Sequence, residues 1–132
     1  MKQQFEVKNK YFVLVVIVFF CSCSSQGDSS NKTIQESLNG YGKKALLFIK
    51  YGGATVNTSL QVSLVGDGDK IKEDAVGNIF IADDSTGAIG EDDVKIFWKH
   101  PDSLEIFYKK ILRVFKTEQQ LMGVTILYKQ VE

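Results

Sequence analysis

The chain has 132 residues, and its 16 basic side chains are balanced by 16 acidic ones, so the formal net charge is zero. A chain of this length holds one modest core, and a neutral chain lacks the basic surface that general nucleic-acid binding needs. A single histidine and two cysteines also leave few groups for metal or nucleophilic chemistry.

The N-terminus predicts a signal peptide over residues 1–22. A basic start precedes an apolar run at 11–20, and a patch of small residues follows at 21–25. The apolar run is about half of the roughly 20 residues that a transmembrane helix needs, so a permanent helical anchor is the weaker interpretation.

The end of this segment resembles a lipobox, in which a small residue precedes the cysteine that receives a diacylglycerol. Ser22 before Cys23 fits that pattern, whereas cleavage before Cys21 would place Phe20 in the small-residue position. The resemblance implies lipidation at Cys23 and attachment to the membrane through two or three acyl chains, which hold firmly where one chain holds only marginally. Ordinary secretion with a free cysteine is the alternative.

Removal of the signal peptide changes the net charge of the chain and the number of thiols that remain. Loss of 1–22 takes away three lysines and one glutamate, which leaves 13 basic and 15 acidic residues, a net charge of −2. With Cys21 removed and Cys23 acylated, no thiol remains for a disulfide, a zinc cluster or a nucleophile. We therefore expect no nucleic-acid partner and no cofactor.

Residues 23–40 are predicted to be the lipidated cysteine and a flexible tether. From Ser24 to Gly40 the chain is mostly Ser, Asn, Gln, Gly and Asp, which is typical of a solvated linker that reaches about 20 to 25 Å. Thr33 and Glu36 fit a capping box, and Gly40 could end the helix that it begins, so a short helix is the weaker alternative.

Residues 41–132 are predicted to form one all-β domain. Apolar residues alternate with polar ones in several segments, as in half-buried antiparallel strands. Predicted strands lie at 43–51, 55–65, 79–82, 94–98, 104–109, 113–116 and 124–129. The segment 45–49 is apolar on both sides, which favours a central strand. No long helical stripe is present, so the pattern favours a single small antiparallel meander of roughly six to eight strands, curled into a sandwich or an open barrel.

Two turn sequences predict hairpins. Gly52-Gly53 supplies the positive φ that a tight turn between 43–51 and 55–65 requires. Pro101-Asp102-Ser103 favours a three-residue loop in the second hairpin. That loop would pair Trp98 with Ile106, Phe97 with Phe107, Lys99 with Glu105, and Lys95 with Lys109. The lysine pair is a like-charge cost that a slipped register avoids.

The same residues resemble a known family. Gly52-Gly53-Ala54-Thr55 between two apolar strands, the strand around Trp98, and a closing Gly-Val-Thr-Ile strand are similar to a family of short, membrane-anchored bacterial domains of unknown function with a Gly-Gly-Ala-Thr turn. The similarity covers about 38–129, and the Cys-Ser-Ser context is similar to lipoproteins of the Bacteroidota. The resemblance implies a cell-envelope setting and a compact β fold, and it brings no catalytic residues.

The chain is not expected to be an enzyme. His100, the one candidate base for a serine triad, stands directly before Pro101 at a predicted hairpin tip, where a supporting shell of residues is hard to build. Paired carboxylates lie beside Gly87 and Gly90 in loops, with no sign of a cleft for glycosidase chemistry.

Calcium binding is the chemical alternative. Residues 67–74 and 82–87 carry clustered oxygen ligands of the kind that a hard cation prefers. An EF-hand loop that began at Asp67 would need Asp or Asn at Ile71 and Gly at Lys72. The pattern therefore favours a solvated acidic loop, and no metal ligands are assigned.

Charge is unevenly distributed along the domain. Residues 66–93 carry nine acids and two lysines, a net of −7, whereas 94–116 carry six basic residues and two acids, a net of +4. Such asymmetry usually solvates loops and strand edges. The functional hypothesis is a partner-binding face that steers a basic partner, made of Asp83, Asp84, Glu91, Asp92 and Asp93.

Together these features predict a protein of the bacterial cell envelope that is lipid-anchored in the outer membrane. The sequence fits the periplasmic leaflet and the surface-facing leaflet equally. Its expected role is non-catalytic binding of another protein or of an envelope component. An immunity-type antagonist of an antibacterial toxin fits this class. A calcium-dependent binding or adhesion module is the competing function.

Overall fold

A computed structural model of the chain describes residues 31–52 and 56–132. The predicted signal peptide 1–22, the predicted lipidation site Cys23 and residues 53–55 of the predicted first turn lie outside the described residues. No helix within the described ranges is long and apolar enough to cross a bilayer.

The described residues form nine strands in two sheets, and the prediction of an all-β sandwich is confirmed. The strands are β1 Asn31–Leu38, β2 Lys43–Lys50, β3 Ser59–Gly66, β4 Phe80–Asp83, β5 Val94–His100, β6 Ser103–Lys109, β7 Arg113–Thr117, β8 Gln120–Leu121 and β9 Val124–Val131. A five-stranded sheet has the order β1-β2-β3-β4-β7, and a four-stranded sheet has the order β5-β6-β9-β8. All seven predicted strands are present.

The core lies between the two sheets, where the inward faces of the alternating strands meet. Each fully buried aliphatic or aromatic side chain there contributes about 1.5 to 3 kcal/mol of apolar burial. The five-stranded sheet supplies Ala45, Leu47, Ile49, Leu60, Val62, Leu64, Phe80 and Ala82, and the four-stranded sheet supplies Val94, Ile96, Leu104, Ile106, Val124 and Ile126.

The predicted tether is wrong over residues 31–38, which form strand β1. Residues 31–38 were expected in the linker, with a capping box from Thr33 to Glu36 as the weaker alternative, but they pair antiparallel with β2. Two bonds join β1 to the other sheet: the Gln35 side-chain amide donates to the Ile96 carbonyl at 3.0 Å, and the Trp98 indole nitrogen donates to the Ser37 backbone carbonyl at 2.8 Å. The domain therefore includes residues 31–38, which lie before the predicted boundary at residue 41.

The β5–β6 hairpin has a different register from the predicted one. Trp98 pairs with Leu104 and Ile96 with Ile106, with an irregularity at Lys99. This is a slip of two residues, and because side chains alternate with a period of two, every side chain keeps its predicted face. Lys95 now faces Phe107, so the like-charge pair is avoided.

The four-stranded sheet departs from a simple meander. Strand β6 pairs with β9 in parallel, while the other strand pairs of the described chain are antiparallel. The chain leaves β6, crosses to the five-stranded sheet as β7, and returns through β8 to β9. This crossover supplies the connection that a parallel pair needs.

The segment 67–78 covers part of the outer face of the five-stranded sheet. Leu46 and Phe48 point away from the core between the sheets, yet both are buried. The side chain of Asn31 donates to the carbonyls of Lys72 and Ala75, both at 3.1 Å, which ties the segment to β1. Strand β2 is therefore covered on both faces, as its unbroken apolar sequence predicted.

Candidate functional site

A groove of about 470 Å³ lies on the outer face of the five-stranded sheet, beside the area that 67–78 covers. Residues of β3 and β4 supply its floor, because successive outward side chains of neighbouring strands lie side by side. We call it the outer groove, and its lining residues are Lys50, Tyr51, Gly52, Val56, Asn57, Ser59, Gln61, Ile81, Asp83 and Phe115.

The exposed surface of the groove is mainly apolar. Val56 is 66% exposed and Phe115 is 63% exposed, and Tyr51 and Ile81 extend the same surface. Scattered exposed apolar residues are ordinary, but a concave cluster of them indicates a binding surface. The volume also lies in the range of small-ligand pockets, about 300 to 1,000 Å³.

Gly52 shapes one wall of the groove. A Cβ atom at this position would overlap the carbonyl oxygen of Val56 and lie 2.9 Å from that of Asn57. The sequence predicted a glycine here for positive φ, whereas the described geometry requires Gly52 because two backbone segments approach each other closely. Its neighbour in the turn, Gly53, lies outside the described residues.

An ion pair closes the edge of the groove at β4 and β7. The Arg113 guanidinium donates twice to the Asp83 carboxylate, at 2.8 and 2.9 Å, and it lies 5.6 Å from the ring centre of Phe115. Hydrogen bonding to Asp83 raises the pKa of Arg113. The side-chain amide of Asn57 also donates to Asp83, at 3.4 Å.

Gln61, Ser59 and Lys50, which also line the groove, have partners within the fold. Gln61 is buried, accepts from the Gly77 backbone at 2.6 Å, and donates to the Ser59 hydroxyl at 2.8 Å. The Lys50 ammonium donates to the carbonyls of Asp74 and Ala75 at 3.2 and 3.1 Å. These bonds fix the shape of the groove, so its polar atoms serve packing and orientation.

The structure separates the five acids that were expected to form one exposed face. Asp83 and Asp84 are buried, with 7% and 5% of their surface exposed, so the expectation of exposed loop charges is wrong for this pair. Asp84 accepts from the backbone and hydroxyl of Thr86 at 2.8 and 2.9 Å, and these bonds lower the pKa of its carboxyl group. Sequence reasoning missed this because Asp-Asp-Ser-Thr-Gly looks like an open loop, whereas Asp83 ends strand β4.

The remaining three acids lie in the turn before β5. Glu91 forms an exposed ion pair with Lys32 at 3.1 Å, and Asp92 is exposed. Asp93 accepts from the Gly90 backbone at 2.8 Å and pairs with Lys109 at 3.1 Å. Steering of a basic partner by these three acids stays a prediction.

The other candidate chemistry is dispersed. Within residues 31–52 and 56–132, no three His, Cys, Asp or Glu side chains come together as a metal site would require. Asp69 accepts from the Gly66 backbone at 3.1 Å, which closes a turn at the start of 67–78. His100 is exposed at the end of β5, as the sequence predicted.

Comparison of the chain with family models, with curated proteins and with solved structures gave no match. The resemblance to the family with the Gly-Gly-Ala-Thr turn therefore stays a prediction.

Sequence reasoning missed the outer groove because its lining combines distant segments. The alternation in β4 places Ile81 on the face opposite the buried Phe80 and Ala82. An exposed apolar residue in a strand was the one signal available. Its proximity to Phe115 depends on the pairing of β4 with β7, which no local pattern predicts.

Proposed function

We propose that this protein is a lipid-anchored protein of the bacterial cell envelope that binds a partner, without catalysis, in the outer groove. The observation that carries the binding role is the groove itself, a concave surface of about 470 Å³ with exposed apolar side chains. The anchor rests on the N-terminal sequence, in which Ser22-Cys23 follows a signal-like segment.

The position of the groove fits an anchored protein. Asn31 at the start of β1 is paired with Lys50 at the end of β2, and Lys50 lines the groove. From Cys23 to Asn31 the chain advances eight residues, which span at most about 29 Å when fully extended. An acylated Cys23 would therefore keep this end of the domain near the membrane surface.

The chemistry of the groove favours binding over catalysis. A general base needs an ionisable group that is free to exchange a proton with substrate. Asp83 is engaged by Arg113, and Lys50 is engaged by two backbone carbonyls. What the groove offers a partner is apolar contact with a fixed polar border, as interface pockets do.

The partner that fits is a protein with a protruding apolar side chain, or an envelope component with an apolar group of similar size. An antibacterial toxin is one such protein, and the domain would then serve as its immunity-type antagonist. In either case the protein binds its partner without changing it chemically.

The test places a photo-crosslinking phenylalanine analogue at position 115 of the full chain in cells. The matched control carries the analogue at Tyr41, which is 75% exposed and lies at the opposite end of the five-stranded sheet. We expect one discrete adduct from position 115 and none from position 41. Ile81→Ser should reduce that adduct about tenfold, because one aliphatic side chain contributes about 1.5 to 3 kcal/mol of apolar contact.

The same cells test the anchor through incorporation of a labelled fatty acid. Cys23→Ala should abolish labelling, and Cys21→Ala should leave it unchanged. Labelling that persists in Cys23→Ala would refute the anchor. Equal adducts from positions 115 and 41, or an adduct indifferent to Ile81→Ser, would refute the groove as the binding surface.

A further inference from the structure

The outer face of the four-stranded sheet carries a regular pattern of aromatic and basic residues. The strand register places Lys95, Phe107 and Lys129 side by side in one row, because Phe107 pairs with Lys95 on β5 and with Lys129 on β9. The next row is Phe97, Glu105 and Leu127. Lys99 lies two residues after Phe97 on β5. We call this surface the basic aromatic face, and its seven residues are Lys95, Phe97, Lys99, Glu105, Phe107, Leu127 and Lys129.

The apolar members of this face are open to solvent in the described chain. Phe97 is 51% exposed and Leu127 is 37% exposed. The rings of Phe97 and Phe107 meet edge to face with their centres 5.7 Å apart, and the Lys129 ammonium lies 5.5 Å from the centre of the Phe107 ring. These contacts hold the aromatic side chains in place on a rigid sheet, so the face is ordered before any partner arrives.

The charge of the face is positive. Its three exposed lysines stand around one carboxylate, Glu105, which pairs with Lys129 at 2.8 Å and leaves a net charge of +2. Hydrogen bonding to Lys129 lowers the pKa of Glu105, and the charge of Lys99 acts in the same direction. The carboxylate therefore stays ionised, and Lys95 and Lys99 remain available to an anionic partner.

We propose that the basic aromatic face docks onto a membrane surface that contains anionic lipids. Lysines near such a surface are attracted by its negative potential, while aromatic and aliphatic side chains between them enter the headgroup region. The choice of a membrane rests on the proposed lipid anchor, which would keep the domain within about 29 Å of the bilayer. The side chain of Gln35 on β1 bonds the backbone of Ile96 on β5, so the chain enters along the edge of this same sheet.

The experiment uses the chain 23–132 without acyl groups, which contains all nine described strands. Sedimentation measures its partition onto phosphatidylcholine vesicles with and without phosphatidylglycerol. We expect binding that requires phosphatidylglycerol and that weakens as salt is added, because salt screens charges beyond about 8 Å at physiological ionic strength.

Three variants test whether vesicle binding depends on the basic aromatic face or only on the overall charge of the protein. The double variant Lys95→Gln/Lys99→Gln should reduce partition about 30-fold, which corresponds to about 2 kcal/mol. The matched control Lys70→Gln/Lys72→Gln removes the same charge from the exposed segment 67–78 and should have little effect. Phe97→Ser keeps the charge, and it should weaken binding without changing its dependence on salt.

Several results would overturn the proposal. Equal partition onto vesicles without phosphatidylglycerol, or equal losses in the two lysine double variants, would exclude this face as a lipid-docking surface. Absence of vesicle binding together with salt-sensitive binding to heparin or to single-stranded DNA would assign the face to a different polyanion. Because the chain tested has no acyl groups, failure here leaves the anchor and the outer groove untouched.

Discussion

At the scale of single residues, the acids of this domain act mainly within the fold. Asp83 holds Arg113 at the edge of the outer groove, and Asp84 closes its own turn through Thr86. Asp92, in the turn before β5, is exposed. The same residue type is therefore expected to stabilise the fold at Asp84 and to have little effect at Asp92, depending on burial and hydrogen bonding.

Asp84→Asn should change how stability depends on pH. The Thr86 bonds lower the pKa of Asp84 in the folded state from its ordinary value of 3.8. A lowered folded-state pKa stabilises the fold above the unfolded pKa, and this contribution disappears as pH falls through the folded value. The difference in unfolding free energy between wild type and Asp84→Asn should be constant above about pH 5 and shrink below about pH 4.

Urea denaturation at several pH values measures this difference. Asp92→Asn is the matched control, since it makes the same substitution at an exposed acid, and its difference from wild type should stay close to zero throughout. A constant difference for Asp84→Asn down to pH 3 would show that the Thr86 bonds do not depend on the charge of Asp84.

The local sequence predicted the exposure of single residues but not the ion pairs between distant residues. The exposure of His100 followed from its place beside Pro101, because a turn of that kind lies at the surface. The Asp83–Arg113 pair joins positions 30 residues apart, and it depends on the pairing of β4 with β7. A local pattern contains no information about that pairing.

At the scale of elements, strand β2 has more buried residues than any other strand described, because both of its faces are covered. Its inward residues belong to the core between the sheets, and Leu46 and Phe48 are buried on its outer face, where the segment 67–78 bonds the neighbouring strand β3 through Gly77 and Asn78. The unbroken apolar sequence of β2 predicted a central strand, and the structure confirms it. The cover by 67–78 was not predicted, because the acids and glycines of that segment suggested a solvated loop.

Phe48→Ala should lower the unfolding free energy by about 3 to 5 kcal/mol, as expected when a buried aromatic side chain is truncated. Phe97→Ala is the control, because Phe97 is half exposed on the basic aromatic face, and its cost should stay below about 1 kcal/mol. Chemical denaturation of both variants gives the comparison. Equal costs would mean that 67–78 does not seal the outer face of β2.

At the scale of the whole molecule, the two sheets are joined by bonds at the edge where β1 meets β5 and by the crossover through β7. Tyr128 reinforces the other side, where its hydroxyl oxygen lies 2.6 Å from the carbonyl oxygen of Glu118 and 2.8 Å from that of Ile79, so that its single proton is donated to one of them at a time. Burial raises the pKa of this phenol to about 12. The hydroxyl therefore keeps its proton as a donor throughout the physiological range.

The sequence predicted the class of this fold better than its boundary or its strand order. Apolar patterning identified seven strands, because most of them alternate and bury one face and β2 is an apolar run that buries both. It missed β1, whose Asn, Lys, Thr, Gln and Glu residues have low apolar content and whose stability comes from bonds to β2 and β5. It also missed the parallel β6–β9 pair, because the direction of a strand depends on where the intervening chain crosses.

The inclusion of β1 in the domain gives the last prediction. The fragment 41–132, which sequence alone suggested, lacks β1, so β2 loses its outer partner and the Gln35 and Trp98 bonds between the sheets disappear. We expect 41–132 to be less stable than 31–132 by at least about 3 kcal/mol, since several hydrogen bonds of about 1 kcal/mol each are lost together with the apolar contact of Ile34. Urea denaturation of the two fragments measures the difference, and the chain 23–132 is the control, which should match 31–132. Equal stability of 41–132 and 31–132 would mean that β1 is dispensable and that the sequence-based boundary was right after all.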